Sequence, residues 1–566
     1  MKARILFLFI VPLFLYIILL PAMPLMEPDE ARYSDIPSMM NSTGNYITPH
    51  LHHVVYLEKP PLCYWATALS FKIFGENDFS SRLFVGLCAW GCIILVYFMG
   101  IFFASERTGL YSAGVLSTFL YHFALGRINI LDIPLAFFVC LATWAGYRYI
   151  KEDHQKKIWV YLLYIASALA FLTKGLIGIV FPFAILILWL IICKKWRDIL
   201  QLFSPGGMLI FLAISCPWII LVQKANKDFL WFFFIHEQFL RYATGISRKS
   251  GSFYYYIPII ILGTLPWCAF LFQAIKGVSE KTTRLWQQVD IRFLLTWANF
   301  IFLFFSISSS KLIPYITPAF LPIAVILGRL FELYESREIV QKETMAKKVL
   351  LRSPVILQSC LFIIALCVPP LLKRHAIEIL EWIPFVILPI SLQVLIIFLP
   401  DIIKRKWSKG WFLTVYLLSA LFLGSLVFPA SHFLTPYKSA FPVSQAIKTF
   451  IPADQELFQY GINLYGIDFY NKIRTPVVDD FGELNYGIRR LPPDERSRYF
   501  LLSEQFFKLC KEKGDIYCVT KYKRRVEKLQ KAIPKLEIIW DNGAYFILRL
   551  HCQLITVQIN RLKVEG

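Results

Sequence analysis

The sequence predicts a multi-pass α-helical membrane protein of about thirteen transmembrane helices with a C-terminal α/β domain. Three observations predict it. Over 566 residues, 57% are apolar and only 17% charged, with a mean hydropathy of +0.56, whereas a soluble chain is about a quarter charged. Apolar runs near 20 residues, the length that crosses a hydrocarbon core, recur along the chain. The charge density then rises near residue 429: 36 of the last 137 residues are charged, against 61 of the first 429. This composition excludes disorder, collagen and coiled coil, and 12 Cys are too few for a disulfide-stapled secreted fold. The net charge of +21 marks cytoplasmic loops in such a chain, and no nucleic-acid partner is expected.

The runs centre on 5–22, 84–103, 108–126, 131–149, 158–172, 175–193, 207–222, 257–275, 293–307, 312–330, 354–371, 383–400 and 411–429. The first lacks a small-residue cleavage site and reads as a retained anchor. With the N-terminus inside, 24 of the 38 basic residues of residues 1–429 fall on the cytoplasmic side, as the positive-inside rule requires. Thirteen spans then put the tail outside. Residues 1–429 form the membrane domain, with long outside segments at 22–83 and 223–256. Tyr46, Tyr56, Tyr64 and Trp65 make the first segment too apolar for disorder, so short helices are expected there.

Residues 430–566 alternate strand-like and helix-like runs. Strands are expected at Pro476–Val478, Ile516–Thr520, Leu536–Trp540 and Tyr545–Leu550, and helices at Pro442–Phe450, Glu504–Glu512 and Arg525–Ala532. Cys510 and Cys518 are a candidate disulfide pair in an oxidising compartment, with Cys552 left over. There is no Gly-rich phosphate loop and no internal repeat.

Ionisable residues gather at the outside ends of the spans. Pro28 before Asp29 and Glu30 signals a helix start, and Asp29 and Arg32, three apart, share its face. Glu58-Lys59 stands before Pro60-Pro61, which holds Lys59 extended. Asp132 sits at a span mouth, with Arg127 five residues away as a candidate partner, and Lys174 breaks two apolar runs at the same face. His236, Glu237 and Arg241 lie in the second outside segment. A site that moves a group from a lipid phosphate needs cations for the leaving phosphate and a carboxylate for the acceptor.

Specific motifs point further. Asp29-Glu-Ala-Arg-Tyr33, Asn45-Tyr-Ile-Thr-Pro-His50, Tyr56-Leu-Glu-Lys-Pro-Pro61 and Phe74-Gly-Glu-Asn-Asp-Phe79 stand in order within residues 26–83. Arg127-Ile-Asn-Ile-Leu-Asp132, Leu172-Thr-Lys-Gly175, His236-Glu237 with Arg241, and Lys311-Leu-Ile-Pro-Tyr315 follow. Together they resemble the bacterial lipid A 4-amino-4-deoxy-L-arabinose transferases. These are polyprenyl-phosphate-sugar-dependent membrane glycosyltransferases of the GT-C type, related to protein O-mannosyltransferases.

The resemblance implies a thirteen-helix body with a periplasmic α/β domain, in the bacterial inner membrane with the N-terminus cytoplasmic. It implies Asp29 as the principal catalytic carboxylate, with Asp132 and Glu58 as further catalytic acids. Lys59, Arg241, Lys174 and Arg32 would bind the donor phosphate, and Tyr56, Tyr315 and Tyr33 would line the donor cavity. Glu58 and His236 match positions that bind zinc in some members, and His432 is a third candidate by position only. Two ligands do not make a metal site, so the cofactor is left unknown. The implied reaction moves the aminopentose from an undecaprenyl phosphate-linked donor to a lipid A phosphate with inversion, giving resistance to cationic antimicrobial peptides. Another sugar such as galactosamine, or a protein or glycan acceptor, would use the same carrier. A lipid or sugar transporter is the remote alternative, disfavoured by the lack of an internal repeat.

Overall fold

The computed structural model describes residues 2–240, 251–268, 289–335, 411–533 and 535–552, with residues 271 and 391. The chain divides into two compact units. The first comprises Met1–Pro21, Glu58–Cys63 and Arg82–Pro429, and the second Ala22–Leu57, Tyr64–Ser81 and Ala430–Gly566.

Among the described residues, seven helices are long and apolar enough to cross a membrane: Asp78–Phe103, Asp132–Lys151, Lys157–Lys174, Pro205–Ala225, Asp290–Ile307, Ile313–Leu333 and Val415–Lys438. Leu6–Ala22, Leu62–Phe74 and Ile177–Ile192 are shorter apolar helices. The expected spans at 354–371 and, apart from residue 391, at 383–400 lie outside the described residues.

Hydropathy overlooks two interruptions. The run at 108–126 is two helices, Glu106–Ser117 and Leu120–Leu125, parted where Phe119 turns extended. Thr118 helps fix that break: its hydroxyl bonds back to the Gly114 carbonyl at 2.7 Å and accepts from Trp267 Nε1 at 2.9 Å. The run at 257–275 begins as a helix over Tyr256–Gly263, which stops ahead of Pro266, as the restriction on pre-proline residues favours. Lys311 caps the Val289–Ile307 helix by donating to the carbonyls of Phe305, Ser306 and Ser308 at 3.3, 2.8 and 2.6 Å. A cation at that end meets the negative pole of the helix dipole.

In the second unit the loop residues form the helix Asp29–Thr43 and a short hairpin, β1 (His50–Leu51) with β2 (Val54–Val55). Gly44 ends that helix at φ +71°, donating its N–H to the Met40 carbonyl at 2.9 Å. This left-handed cap favours glycine.

The tail builds one six-stranded sheet in the order β5-β4-β3-β6-β8-β7. The strands are β3 (Leu457–Tyr460), β4 (Val477–Val478), β5 (Phe500–Leu501), β6 (Asp515–Lys521), β7 (Leu536–Asp541) and β8 (Tyr545–His551). The pairs β3–β4, β3–β6 and β4–β5 are parallel, while β8 lies antiparallel between β6 and β7. Alternation along the strands supplies two cores. Phe458, Ile516, Cys518 and Leu548 pack on one face with Phe506 and Leu529. Leu457, Tyr517, Val519 and Ile547 pack on the other with Val443 and Ile467. The sequence expectation missed β3 and β5. β3 is buried at all four residues and so shows no apolar–polar alternation, and β5 is only two residues long.

Candidate active site

The helix start that carries Asp29 is built by Pro28, which stands just before its first turn, and by the acids Asp29 and Glu30 within that turn. Arg32 is buried and forms ion pairs with Asp29, one turn away, and with Glu483 of the tail. Its guanidinium lies 5.0 Å from the Tyr33 ring centroid and 5.9 Å from that of Tyr56. The Tyr56 hydroxyl donates to Glu483 at 3.2 Å. Asp29 itself is 57% exposed. The arrangement is an exposed carboxylate steadied from below by a buried, charge-balanced arginine.

Beneath that helix the same unit holds a buried charge cluster. Arg474 Nη1 lies 2.5 Å from Asp35 and 3.6 Å from Asp468, and His52 Nδ1 lies 2.5 Å from Asp468. The His52 backbone N–H also donates to Asp35 at 3.3 Å. Burial would lower the His52 pKa, but Asp468 and Asp35 outweigh it and raise the group above its ordinary value. Burial raises Asp35, whereas Asp468 is held down because His52 and Arg474 outweigh burial. The sequence reading found none of Glu483, Asp35, His52, Asp468 or Arg474. Each is an ordinary polar residue in its own segment, and only the fold brings loop and tail together.

Glu27 accepts a hydrogen bond from the Gly466 N–H at 2.7 Å. Burial pushes this carboxyl up to about 8, against the N–H donors of Gly466 and Tyr465 that pull it down. A raised pKa means that the folded unit holds the proton longer than the unfolded chain. The contribution of Glu27 to stability is therefore full at low pH and falls as pH climbs towards about 8. His52 adds to the alkaline loss. His53, which burial lowers to about 4, acts oppositely, costing stability as pH falls below the ordinary imidazole range. Thermal unfolding of wild-type protein and Glu27→Gln across about pH 5 to 8 is expected to show a flatter alkaline decline in the variant. Parallel curves would contradict this.

In the first unit, Lys59 Nζ donates to the Glu58 carbonyl at 3.1 Å and lies 3.9 Å from the Glu58 carboxylate and 3.7 Å from that of Glu237. Glu237 is buried, and its carboxylate accepts from His236 Nδ1 at 3.0 Å. His236 stands on the Trp231–Leu240 helix. Arg241 lies outside the described residues. A second cluster joins two helices. Lys174, at the last turn of Lys157–Lys174, bonds Asp132, at the first turn of Asp132–Lys151, at 2.6 Å and lies 4.8 Å from the Tyr315 ring centroid. The ion pair made by Asp132 is with Lys174, and Arg127 donates to the carbonyls of Leu15 (at 3.0 Å) and Leu19.

The candidate ligands among the described residues fit a metal poorly. Among the described residues, no group of three or more His, Cys, Asp or Glu side chains could hold an ion. The Glu58 carboxylate faces the Lys59 ammonium, and His236 is engaged by Glu237. His432 lies against Phe433, with ring centroids 4.9 Å apart.

The fold defines a class: a body of apolar, membrane-length helices joined to an α/β domain. It matches the crystal structure of ArnT from Cupriavidus metallidurans bound to undecaprenyl phosphate, with a TM-score of 0.81 at 22% identity, covering 95% of this chain and 96% of that one. The apo structure of the same protein matches with a TM-score of 0.79. Residues 58–221 match a family model described as dolichyl-phosphate-mannose-protein mannosyltransferase. In sequence the chain is similar to the undecaprenyl phosphate-alpha-4-amino-4-deoxy-L-arabinose arabinosyl transferase of Enterobacter sp. (strain 638), 33% identical over 324 residues, which is 56% of this chain and 57% of that protein. The transferase of the same name from Shewanella sediminis (strain HAW-EB3) is 31% identical over 59% of this chain and 62% of its own length. The chain thus spans under two thirds of the curated relatives it matches.

Proposed function

We propose that this protein is an inverting glycosyltransferase of the bacterial inner membrane. It moves 4-amino-4-deoxy-L-arabinose from undecaprenyl phosphate to a lipid A phosphate. The observation that carries the reading is the sequence similarity to relatives sharing that one name, alongside a carboxylate at 29 exposed beside its arginine. The Lys/Arg bias of the loops supports a cytoplasmic N-terminus, with the chemistry and residues 430–566 on the periplasmic side.

In the reaction a lipid A phosphate oxygen attacks the anomeric carbon as the bond to the carrier phosphate breaks, and that bond's electron pair leaves with undecaprenyl phosphate. The acceptor is already anionic near neutral pH and needs little help from a base. Asp29 is therefore assigned to stabilising positive charge that develops on the sugar. Arg32, already shared between Asp29 and Glu483, is better suited to positioning Asp29 than to binding phosphate. Lys59, Lys174 and Arg241 are assigned to the carrier phosphate, and Tyr33, Tyr56 and Tyr315 to lining the donor site. Asp132 keeps Lys174 in place, and Glu58 does the same for Lys59.

The pairing of Asp132 with Lys174 makes a prediction. Lys174→Met leaves the Asp132 carboxylate without its ion pair, and transfer should fall at least about tenfold. In a double-mutant cycle, adding Asp132→Asn should cost little more. Fully additive losses would show that the two residues act separately.

A second reading keeps the carrier and changes the sugar or the acceptor, and the mannosyltransferase family model over residues 58–221 favours it. A protein hydroxyl acceptor would need Asp29 as a true base. Mass spectrometry of lipid A from cells with and without the protein separates the readings. An added aminopentose that depends on the protein supports the proposal. An added hexosamine corrects the sugar. Unchanged lipid A in cells that make the carrier-linked aminopentose rejects the acceptor.

A further inference from the structure

Cys510, Cys518 and Cys552 are all buried in one apolar cluster of the α/β domain, with Phe506 and Leu550. The backbone decides which two meet. Gly514 closes the Ser503–Lys513 helix by donating its N–H to the Cys510 carbonyl at 3.0 Å. Its own carbonyl accepts from the Cys552 N–H at 2.8 Å. Cys510 and Cys552 are therefore tied through one residue, where the helix hands over to β6 and β8 runs out. The Cys552 thiol donates to the Leu550 carbonyl at 3.5 Å, and its nearness, with burial, pushes the Cys510 thiol up. Cys518 stands further up the sheet, opposite Leu548 on β8. That register is four residues short of Cys552, about 13 Å along a strand, too far for a Cys518–Cys552 bond, which needs Cα atoms within about 7 Å.

We propose that Cys510 and Cys552 are the disulfide-forming pair of this domain and that Cys518 stays a buried thiol. It differs from Cys510–Cys518, the candidate pair that the sequence offered without placing a disulfide. The co-reactant is a thiol–disulfide oxidant, a molecule or protein carrying a reactive disulfide. One cysteine thiolate attacks an oxidant sulfur and releases the other as a thiolate. The second cysteine then displaces the oxidant from the mixed disulfide. Two S–H bonds are lost and one S–S bond forms. The two electrons reduce the oxidant disulfide to two thiols, which take up the two protons. The neighbouring Cys552 thiol and burial push the Cys510 thiol up, so thiolate is scarce once the core has closed, and oxidation belongs to folding. The bond would close a loop holding the Lys523–Ala532 helix and the β7–β8 hairpin, restricting the unfolded chain. The pairing in cells requires, as proposed above, that the domain face an oxidising compartment.

The test uses the full chain, purified in detergent from membranes lysed in N-ethylmaleimide and digested without reductant. Mass spectrometry should find a peptide linked through Cys510 and Cys552 that disappears on reduction, with Cys518 alkylated only after denaturation. A second sample is reduced in mild denaturant and exposed to oxidised glutathione. A link that appears only in this sample upholds the pairing and rejects the periplasmic orientation. A Cys510–Cys518 link, or no link in either sample, overturns the proposal. Dithiothreitol should lower the Tm of wild-type protein and Cys518→Ala, but not that of Cys552→Ala. Equal sensitivity of all three would overturn it as well.

Discussion

Asp29→Asn should lower transfer by about two to four orders of magnitude with little change in unfolding temperature. The carboxylate is 57% exposed, so losing its charge costs the fold little. Its one-turn partner Arg32 keeps the second carboxylate, Glu483, and stays compensated. What is lost is the negative charge offered to the reacting sugar. The measurement is single-turnover transfer by purified variants. Asp29→Ala should be no better than Asp29→Asn. A variant Asn enzyme near the wild-type rate would remove Asp29 from the chemistry, and loss with Ala alone would reduce its role to shape.

The largest stability effect should come from Arg474. Its guanidinium compensates Asp35 and Asp468, whose side chains are 1% and 0% exposed. Without it, two buried carboxylates share only the charge of His52. Removing one partner of a buried ion pair costs about 3 to 5 kcal/mol, because the other charge stays uncompensated. Arg474→Met should therefore lower the unfolding temperature of the second unit and speed hydrogen exchange in the Asp29–Thr43 helix. Adding Asp35→Asn should recover much of the loss, since a neutral amide needs no counter-ion. An Arg474→Met protein within about 0.5 kcal/mol of wild type would mean that water reaches the cluster and screens it.

The two predictions also separate what the sequence disclosed from what it hid. The helix start at Asp29 was legible because its signal is local: a proline, two acids in the first turn, and an arginine three residues on. The four tail strands and three tail helices that sequence reading placed all exist, because hydrophobic periodicity is local too. Lys174 was singled out as a charge breaking two apolar runs, but its partner was not fixed, because Arg127 stands much nearer to Asp132 in the chain. The choice of Lys174 depends on how the two helices pack. Glu483, Asp468 and Arg474 carried no sign at all. Each becomes meaningful only when the tail folds with residues 22–57 in one unit, and no composition window reaches across that separation. The break at Thr118–Phe119 was hidden for the opposite reason, since hydropathy scores apolar content and is blind to a change of backbone direction.

The most direct measurement is reconstitution. Purified wild-type protein and Asp29→Asn would be mixed in detergent with undecaprenyl phosphate-linked 4-amino-4-deoxy-L-arabinose and lipid A, and the products followed by mass spectrometry. The expected result is lipid A gaining one aminopentose per undecaprenyl phosphate released, with the new linkage inverted at the anomeric carbon and the Asp29→Asn sample inert. Intact donor and unmodified lipid A with the wild-type protein, while the same preparation transfers a sugar to a peptide or another glycan, would contradict the account.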